Sequence, residues 1–213
     1  GCHVLCEKPP GMNAEEAAEM IQASEQAGRR LMFNFSYRFK PASQNAKEQI
    51  DTGVIGDVYF SRTVWHRRRG IPWWYDRDGA GMKELNGGGP LVDLGVHRLD
   101  LALWLMGYPE PAWVLGATHN QIGSALALEQ GKKLDVEDMG NALIRFTNNA
   151  CLSVEASWAA NVKERELQTT RLLGAAGGLV QRNIDNTYVF ETETYTEKDG
   201  EPVDLLFRED PDK

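Results

Sequence analysis

The sequence predicts an α+β fold: the end of a parallel strand–helix–strand unit, then a largely antiparallel open sheet with helices packed on one face. Three observations predict it. The chain opens on an apolar strand-like run, HVLC, closed by Glu7-Lys8-Pro9-Pro10. A segment of helical period with cap residues at both ends follows at once. Six β-patterned runs then succeed one another mostly without intervening helices, which favours antiparallel pairing.

In NAEEAAEMIQASEQAGRR, Ala17, Met20, Ile21, Ser24 and Ala27 mark one helical face, Asn13 is placed to cap the N-terminus with Glu16 three residues on, and Gly28 stands just past the C-terminus. LMFNFSY reads as a second strand. Strand, helix and strand make the last turn of a doubly wound, Rossmann-type sheet. A strand opening the chain with no initiator methionine or leader ahead of it implies entry midway into a longer fold. Residues 1–38 are therefore the expected remnant of a dinucleotide-binding domain, and residues 39–213 a substrate-binding and oligomerisation domain of α+β type, shortened at its C-terminus. Within the latter, residues 41–52 are expected to be helical, Gly53 to Gly56 a turn, and 57–65, 113–119, 139–147, 150–159, 166–173 and 187–195 strands. Asn148-Asn149 has the length of a tight hairpin loop. The acidic EDPDK end is expected to fray.

Of the 213 residues, 42% are hydrophobic and 25% charged, which describes a water-soluble globular chain. A formal charge of -8 disfavours nucleic acid as a partner, and no run is apolar and long enough to cross a membrane. Cys2, Cys6 and Cys151 are odd in number and lack metal-ligand spacing, which points to a reducing, cytoplasmic setting and to no metal site.

The stretch ELNGGGPLVDLGVHRLDLALWLMG carries the functional question. If Pro90 opens a regular helix, Asp93, His97, Asp100 and Trp104 fall within about 60° of one another. Val92, Val96, Leu99 and Leu103 wall this stripe on one side, and Leu94, Leu101 and Leu105 on the other. Ionisable groups in so apolar a helix must pair or meet a ligand, because burying them alone is costly. They are either a self-satisfied structural pair or an acid/base site in which a carboxylate holds an imidazole. Gly87, Gly88 and Gly89 are either a tight entry turn or a loop whose backbone N–H groups a ligand can approach. Lys8, at the carboxyl end of a parallel strand, is either a solvated turn residue or a group that polarises a substrate oxygen. The loop WHRRRGIPWWYDRDG joins arginine forks to aromatic faces suited to sugars or anions, and is equally a solvated basic surface.

VLCEKP at a strand end, with GGGPLVDLGVHRLDLALWLMG after it, resembles the Gfo/Idh/MocA family of nicotinamide-dependent sugar and cyclitol oxidoreductases. LMFNFSYRFKPA, the GVIGDV turn, VEDMGNALIRFTNN and LLGAAGGL fall in the family's order over most of the chain. The resemblance implies hydride transfer between a sugar or cyclitol carbinol carbon and NAD or NADP, with Lys8, His97 and Asp93 as catalytic residues. His97 would be the favoured base, oriented by Asp93 through a hydrogen bond. Glu7, Lys8, Pro9 and Arg38 would face the cofactor, Lys8-Pro9 would be a cis peptide, and Asp100, Arg67, Arg69 and Trp74 would meet substrate. The glycine-rich phosphate loop has no counterpart here, so the isolated chain is expected to bind dinucleotide weakly and to be inactive, the parent protein being the enzyme. Homo-oligomerisation through the antiparallel sheet is expected. The alternatives are a nicotinamide-dependent glycoside hydrolase or lyase of the same superfamily, and a non-catalytic sheet-mediated assembly module.

Overall fold

The computed structural model describes residues 1–69 and 83–210. Two sheets organise them. In the first, β1 (Val4–Cys6) pairs in parallel with β2 (Leu31–Phe33), and α1 (Ala14–Gln26) forms the crossover between them. Asn13 caps α1 by accepting from Glu16 N at 2.8 Å, while the Glu16 carboxylate reaches back to Met12 N at 2.8 Å. Gly28 follows with φ +59°, the left-handed conformation that ends helices. The second strand is shorter than LMFNFSY suggests, because residues 36–39 turn into a single 3₁₀ coil. The apolar face of this unit is largely uncovered, with Val4, Leu5 and Met32 exposed.

The second sheet has eight strands. They are β3 (Val58–Arg68), β4 (Pro111–His119), β5 (Met139–Phe146), β6 (Cys151–Ala160), β7 (Glu166–Gly174), β8 (Gly178–Asn183), β9 (Phe190–Lys198) and β10 (Glu201–Arg208), in spatial order β10-β9-β8-β7-β3-β6-β5-β4. Every neighbouring pair is antiparallel except β3 with β6. That exception follows from topology: the chain leaves β3, passes through helices and the β4–β5 pair, and returns beside β3 in the same direction. The sequence reading missed β8 and β10 and set the strand at 187–195 three residues early. GLVQRN is too short to show a period, and the edge strand EPVDLLFR carries a proline at its second position, where a strand pattern is weakest. A further helix, α5 (Gln121–Glu129), was also missed; Asn120 caps it by accepting from Ser124 N at 3.0 Å.

Helices α2 (Pro41–Asp51) and α4 (Val96–Leu105) lie against one face of this sheet. Their shared core includes Ala42, Ala46, Leu94, Leu101, Leu105, Ala156, Leu172, Leu179 and Phe190, together with Trp158, whose side chain is wholly buried. Each such large apolar side chain contributes about 1.5–3 kcal/mol by leaving water. The order β3, glycine turn, α4 places the ionisable residues of the 84–107 stretch against β3, β6 and β7. Among the described residues, no helix is long and apolar enough to cross a membrane.

Candidate active site

The chain from Pro90 is not one regular helix. A short helix α3 (Lys83–Asn86) precedes the glycines, residues Leu91–Gly95 form a π-helical turn, and only then does α4 begin. The wider π turn changes the phase between Asp93 and the residues after it, so the three ionisable groups do not share one contact. Asp93 turns toward Lys8: Lys8 Nζ donates to Asp93 Oδ1 at 3.0 Å and to the Asp93 carbonyl at 2.8 Å. The other Asp93 oxygen, Oδ2, accepts from Trp158 Nε1 at 2.9 Å. Asp100 instead takes both prongs of the Arg38 guanidinium, one of them at 2.7 Å from Nε, which ties α4 to the 3₁₀ turn. Burial pushes the Asp100 carboxyl upward, against the Arg38 fork that favours its ionised form.

His97 stands between these two pairs and belongs to neither. Its Nδ1 is buried with no hydrogen-bond partner among the described residues, so the expected carboxylate bond to Asp93 is not formed. The imidazole is packed against aromatic rings, with Tyr37 at 5.2 Å and Trp65 at 5.8 Å between centroids. Burial, with the Lys8 ammonium next in effect, pushes its pKa down to about 4, while the Asp93 and Glu7 carboxylates pull weakly the other way. The ring is therefore neutral at physiological pH.

Lys8 is presented by the end of β1. The Lys8-Pro9 bond is cis, as the resemblance implies. Glu7 beside it accepts from Asn34 Nδ2 at 2.6 Å, and this bond holds its carboxyl below the usual range. Lys8 thus reaches across from the two-stranded sheet to the π turn, and the pair joins the two parts of the chain.

The glycine triplet proves to be a packing device. A Cβ on Gly89 would lie 2.1 Å from the Glu137 carbonyl oxygen, and one on Gly88 would lie 2.8 Å from Val92 Cγ2. Gly89 N and Leu91 N donate to the two Glu137 carboxylate oxygens at 2.9 and 3.2 Å, so Glu137 caps the entry to the π turn from outside the segment. The N–H of Gly89 is not open to a ligand. Gly87, at φ +73°, supplies the left-handed turn.

Of the remaining sequence candidates, Arg67 Nε donates to both Glu166 oxygens at 3.2 Å, and Arg69 Nε donates to Asn161 Oδ1 at 2.8 Å. Trp74 lies outside the described residues. The sequence reading overlooked Trp158, Glu137, Tyr37 and the fully buried Arg98. Arg98 donates to Thr170 Oγ1 at 2.7 Å and to Gln181 Oε1 at 3.1 Å, and its guanidinium lies over the Tyr37 and Phe190 rings. Burial lowers its pKa to about 10, which still leaves it charged at neutral pH. An arginine inside the apolar helix GVHRLDLALWL was itself a signal that this helix meets polar groups.

Residues 43–180 match the family model described as the GFO/IDH/MocA C-terminal domain, and residues 1–35 match the oxidoreductase family with an NAD-binding Rossmann fold. The chain belongs to the Gfo/Idh/MocA family. Among relatives within it, the chain is 35% identical to D-glucoside 3-dehydrogenase of Escherichia coli (strain K12), over 98% of this chain and 58% of that protein. It is 31% identical to levoglucosan dehydrogenase of Pseudarthrobacter phenanthrenivorans (strain DSM 18606 / JCM 16027 / LMG 23796 / Sphe3), over 84% of this chain and 49% of that protein. A solved levoglucosan dehydrogenase in complex with NADH superposes with a TM-score of 0.82 at 26% identity, covering 99% of this chain and 55% of that one. The chain thus spans about half the length of the Gfo/Idh/MocA proteins it matches.

Proposed function

We propose that this chain carries the catalytic and substrate-binding part of an NAD- or NADP-dependent dehydrogenase that acts on a sugar or cyclitol hydroxyl. The observation that supports it most is the Lys8–Asp93 pair set beside a neutral imidazole, Lys8 at the carboxyl end of a parallel strand and His97 on the facing helix. These residues fit the nicotinamide end of such a cofactor: the buried Nδ1 of His97 has no partner among the described residues, and Lys8 emerges where open parallel sheets bind ligands. When bound, the cofactor supplies the hydride chemistry.

The chain's own groups handle the proton and the alignment. An ammonium has three donors. Lys8 directs two of them to Asp93, which leaves the third for the oxygen of a substrate hydroxyl. Asp93, locked by Trp158, fixes that direction. His97, neutral and therefore able to accept, takes the hydroxyl proton as the carbinol is oxidised and returns it in reduction. Asp93 accordingly acts by orienting Lys8 rather than the imidazole.

Residues 1–38 then belong with a dinucleotide-binding domain, where Glu7 and Pro9 brace Lys8. Residues 39–213 form the substrate-binding and assembly domain, with Arg67 and Arg69 at its strand ends. Arg38 and Asp100 serve the site by neutralising each other and fixing α4. The exposed Trp113, Val114 and Leu115 of β4 support homo-oligomerisation through the antiparallel sheet. Three free cysteines are in keeping with a cytoplasmic setting.

The test is spectrophotometric. The gene product expressed in full is incubated with NAD⁺ or NADP⁺ and a panel of glucosides, free hexoses and cyclitols, and reduced nicotinamide is followed. Turnover of at least one sugar is expected; no reduction with any of them contradicts the reading.

A further inference from the structure

The aromatic packing around His97 does not stop at the imidazole. Tyr37 and Trp65 enclose it, and Trp65 continues outward to Tyr188, in the turn between β8 and β9, at 6.2 Å between ring centroids. Exposure rises sharply along this row: Tyr37 is 5% exposed, Trp65 3% and Tyr188 46%. The inner rings are packing; the outer ring is open.

Tyr188 is exposed yet fixed. Its hydroxyl donates to Glu166 Oε1 at 3.1 Å and accepts from Arg67 Nη2 at 3.2 Å, while its carbonyl accepts from Lys40 Nζ at 3.1 Å. Glu166 Oε1 also accepts from Trp65 Nε1, so one carboxylate sets the positions of both rings. A ring held at its rim loses little freedom when a ligand lies on its face, which is how a surface aromatic becomes a binding platform.

We propose that Tyr188 is the outer platform of an extended sugar site, receiving the second ring or aglycone of a neutral glycoside whose oxidised ring stands at His97. The inference rests on the dehydrogenase reading above and names its substrate class. The two centroid steps, 5.8 Å from His97 to Trp65 and 6.2 Å from Trp65 to Tyr188, keep Tyr188 within reach of the second of two linked rings. Among the described residues, the cation bonded to the Tyr188 hydroxyl is Arg67, and Glu166 already pairs it with both oxygens, so this guanidinium is not free to hold a sugar phosphate or acid. The Arg67–Glu166 fork instead sets donors and acceptors at the platform's rim, where sugar hydroxyls need them, and the ring face meets C–H surface.

The experiment compares methyl β-glucoside with a β-linked glucose disaccharide, using the gene product expressed in full, its Y188A and Y188F variants, and thermal melts to confirm folding. Wild type is expected to favour the disaccharide in kcat/KM. Y188A is expected to lower kcat/KM for the disaccharide about 5- to 10-fold more than for the methyl glucoside, with the loss in KM, and Y188F to restore most of it. Equal effects of Y188A on both sugars, or no preference in the wild type, overturn the proposal. Oxidation of neither sugar overturns the dehydrogenase reading for this substrate class, and saturation-transfer NMR then judges the platform alone. Saturation of second-ring protons by wild type and not by Y188A upholds it; equal saturation by the two proteins, or none by either, overturns it.

Discussion

Acidification should destabilise this fold through His97, and the size of the effect can be worked from its burial. In the unfolded chain the imidazole takes up a proton near 6.5, whereas in the fold burial and the nearby Lys8 delay protonation to about 4. The folded pKa is depressed, so the unfolded state binds more protons between these values. The stabilisation is complete above 6.5 and is lost as pH falls toward 4. Each pH unit inside the window costs about 1.4 kcal/mol, which gives about 2 kcal/mol at pH 5 and about 3 kcal/mol at the lower limit. His97→Gln removes the titration while keeping a side chain of comparable length. His66 also has its pKa lowered by burial, but it contributes equally to both proteins and cancels in the comparison. Urea unfolding followed by tryptophan fluorescence at pH 7 and pH 5 should show wild type losing about 2 kcal/mol more than His97→Gln. Equal losses, or an imidazole proton resonance titrating near 6.5 in the folded protein, would refute the assignment of His97 as a buried neutral group.

Two further substitutions probe the supports of the site. Trp158→Phe deletes the N–H that holds Asp93 Oδ2 and leaves a small void in the core, so stability should fall by about 1–3 kcal/mol. Urea unfolding with a midpoint equal to wild type would show that neither the bond to Asp93 nor the packing of the indole contributes. Gly89→Ala would set a methyl 2.1 Å from the Glu137 carbonyl, so the turn must shift, at a cost above about 2 kcal/mol, and a melting curve superposable on wild type would contradict the packing role given to the triplet.

Some of this was legible in the sequence because it depends on neighbours along the chain. The Asn13–Glu16 cap, Gly28 and the helical period fixed α1 to within a residue or so, and β5 to β7 were readable from local strand pattern. The importance of Asp93, His97 and Asp100 was readable from charge in an apolar segment, but their pairing was not. A regular helix puts the three on one line, and one π turn, set by Glu137 binding Gly89 and Leu91 from 48 and 46 residues away, gives Asp93 to Lys8 instead. Arg38 and Asp100, 62 residues apart, pair only because the 3₁₀ turn docks on α4. Trp158 and Tyr188 carried no local signal; each becomes significant through the side chain it meets, Asp93 for one and Trp65 for the other.

The measurement that bears most directly on the account is the rate at which the gene product expressed in full forms reduced nicotinamide from a glucoside, compared with its His97→Ala variant at saturating cofactor. A group that carries the proton contributes about 100-fold or more to turnover while leaving the dinucleotide's affinity nearly unchanged. The account predicts a fall of at least that size in a variant that still melts cooperatively. Turnover equal to wild type in a folded His97→Ala protein would contradict it, and would return the imidazole to the aromatic packing around Tyr37 and Trp65.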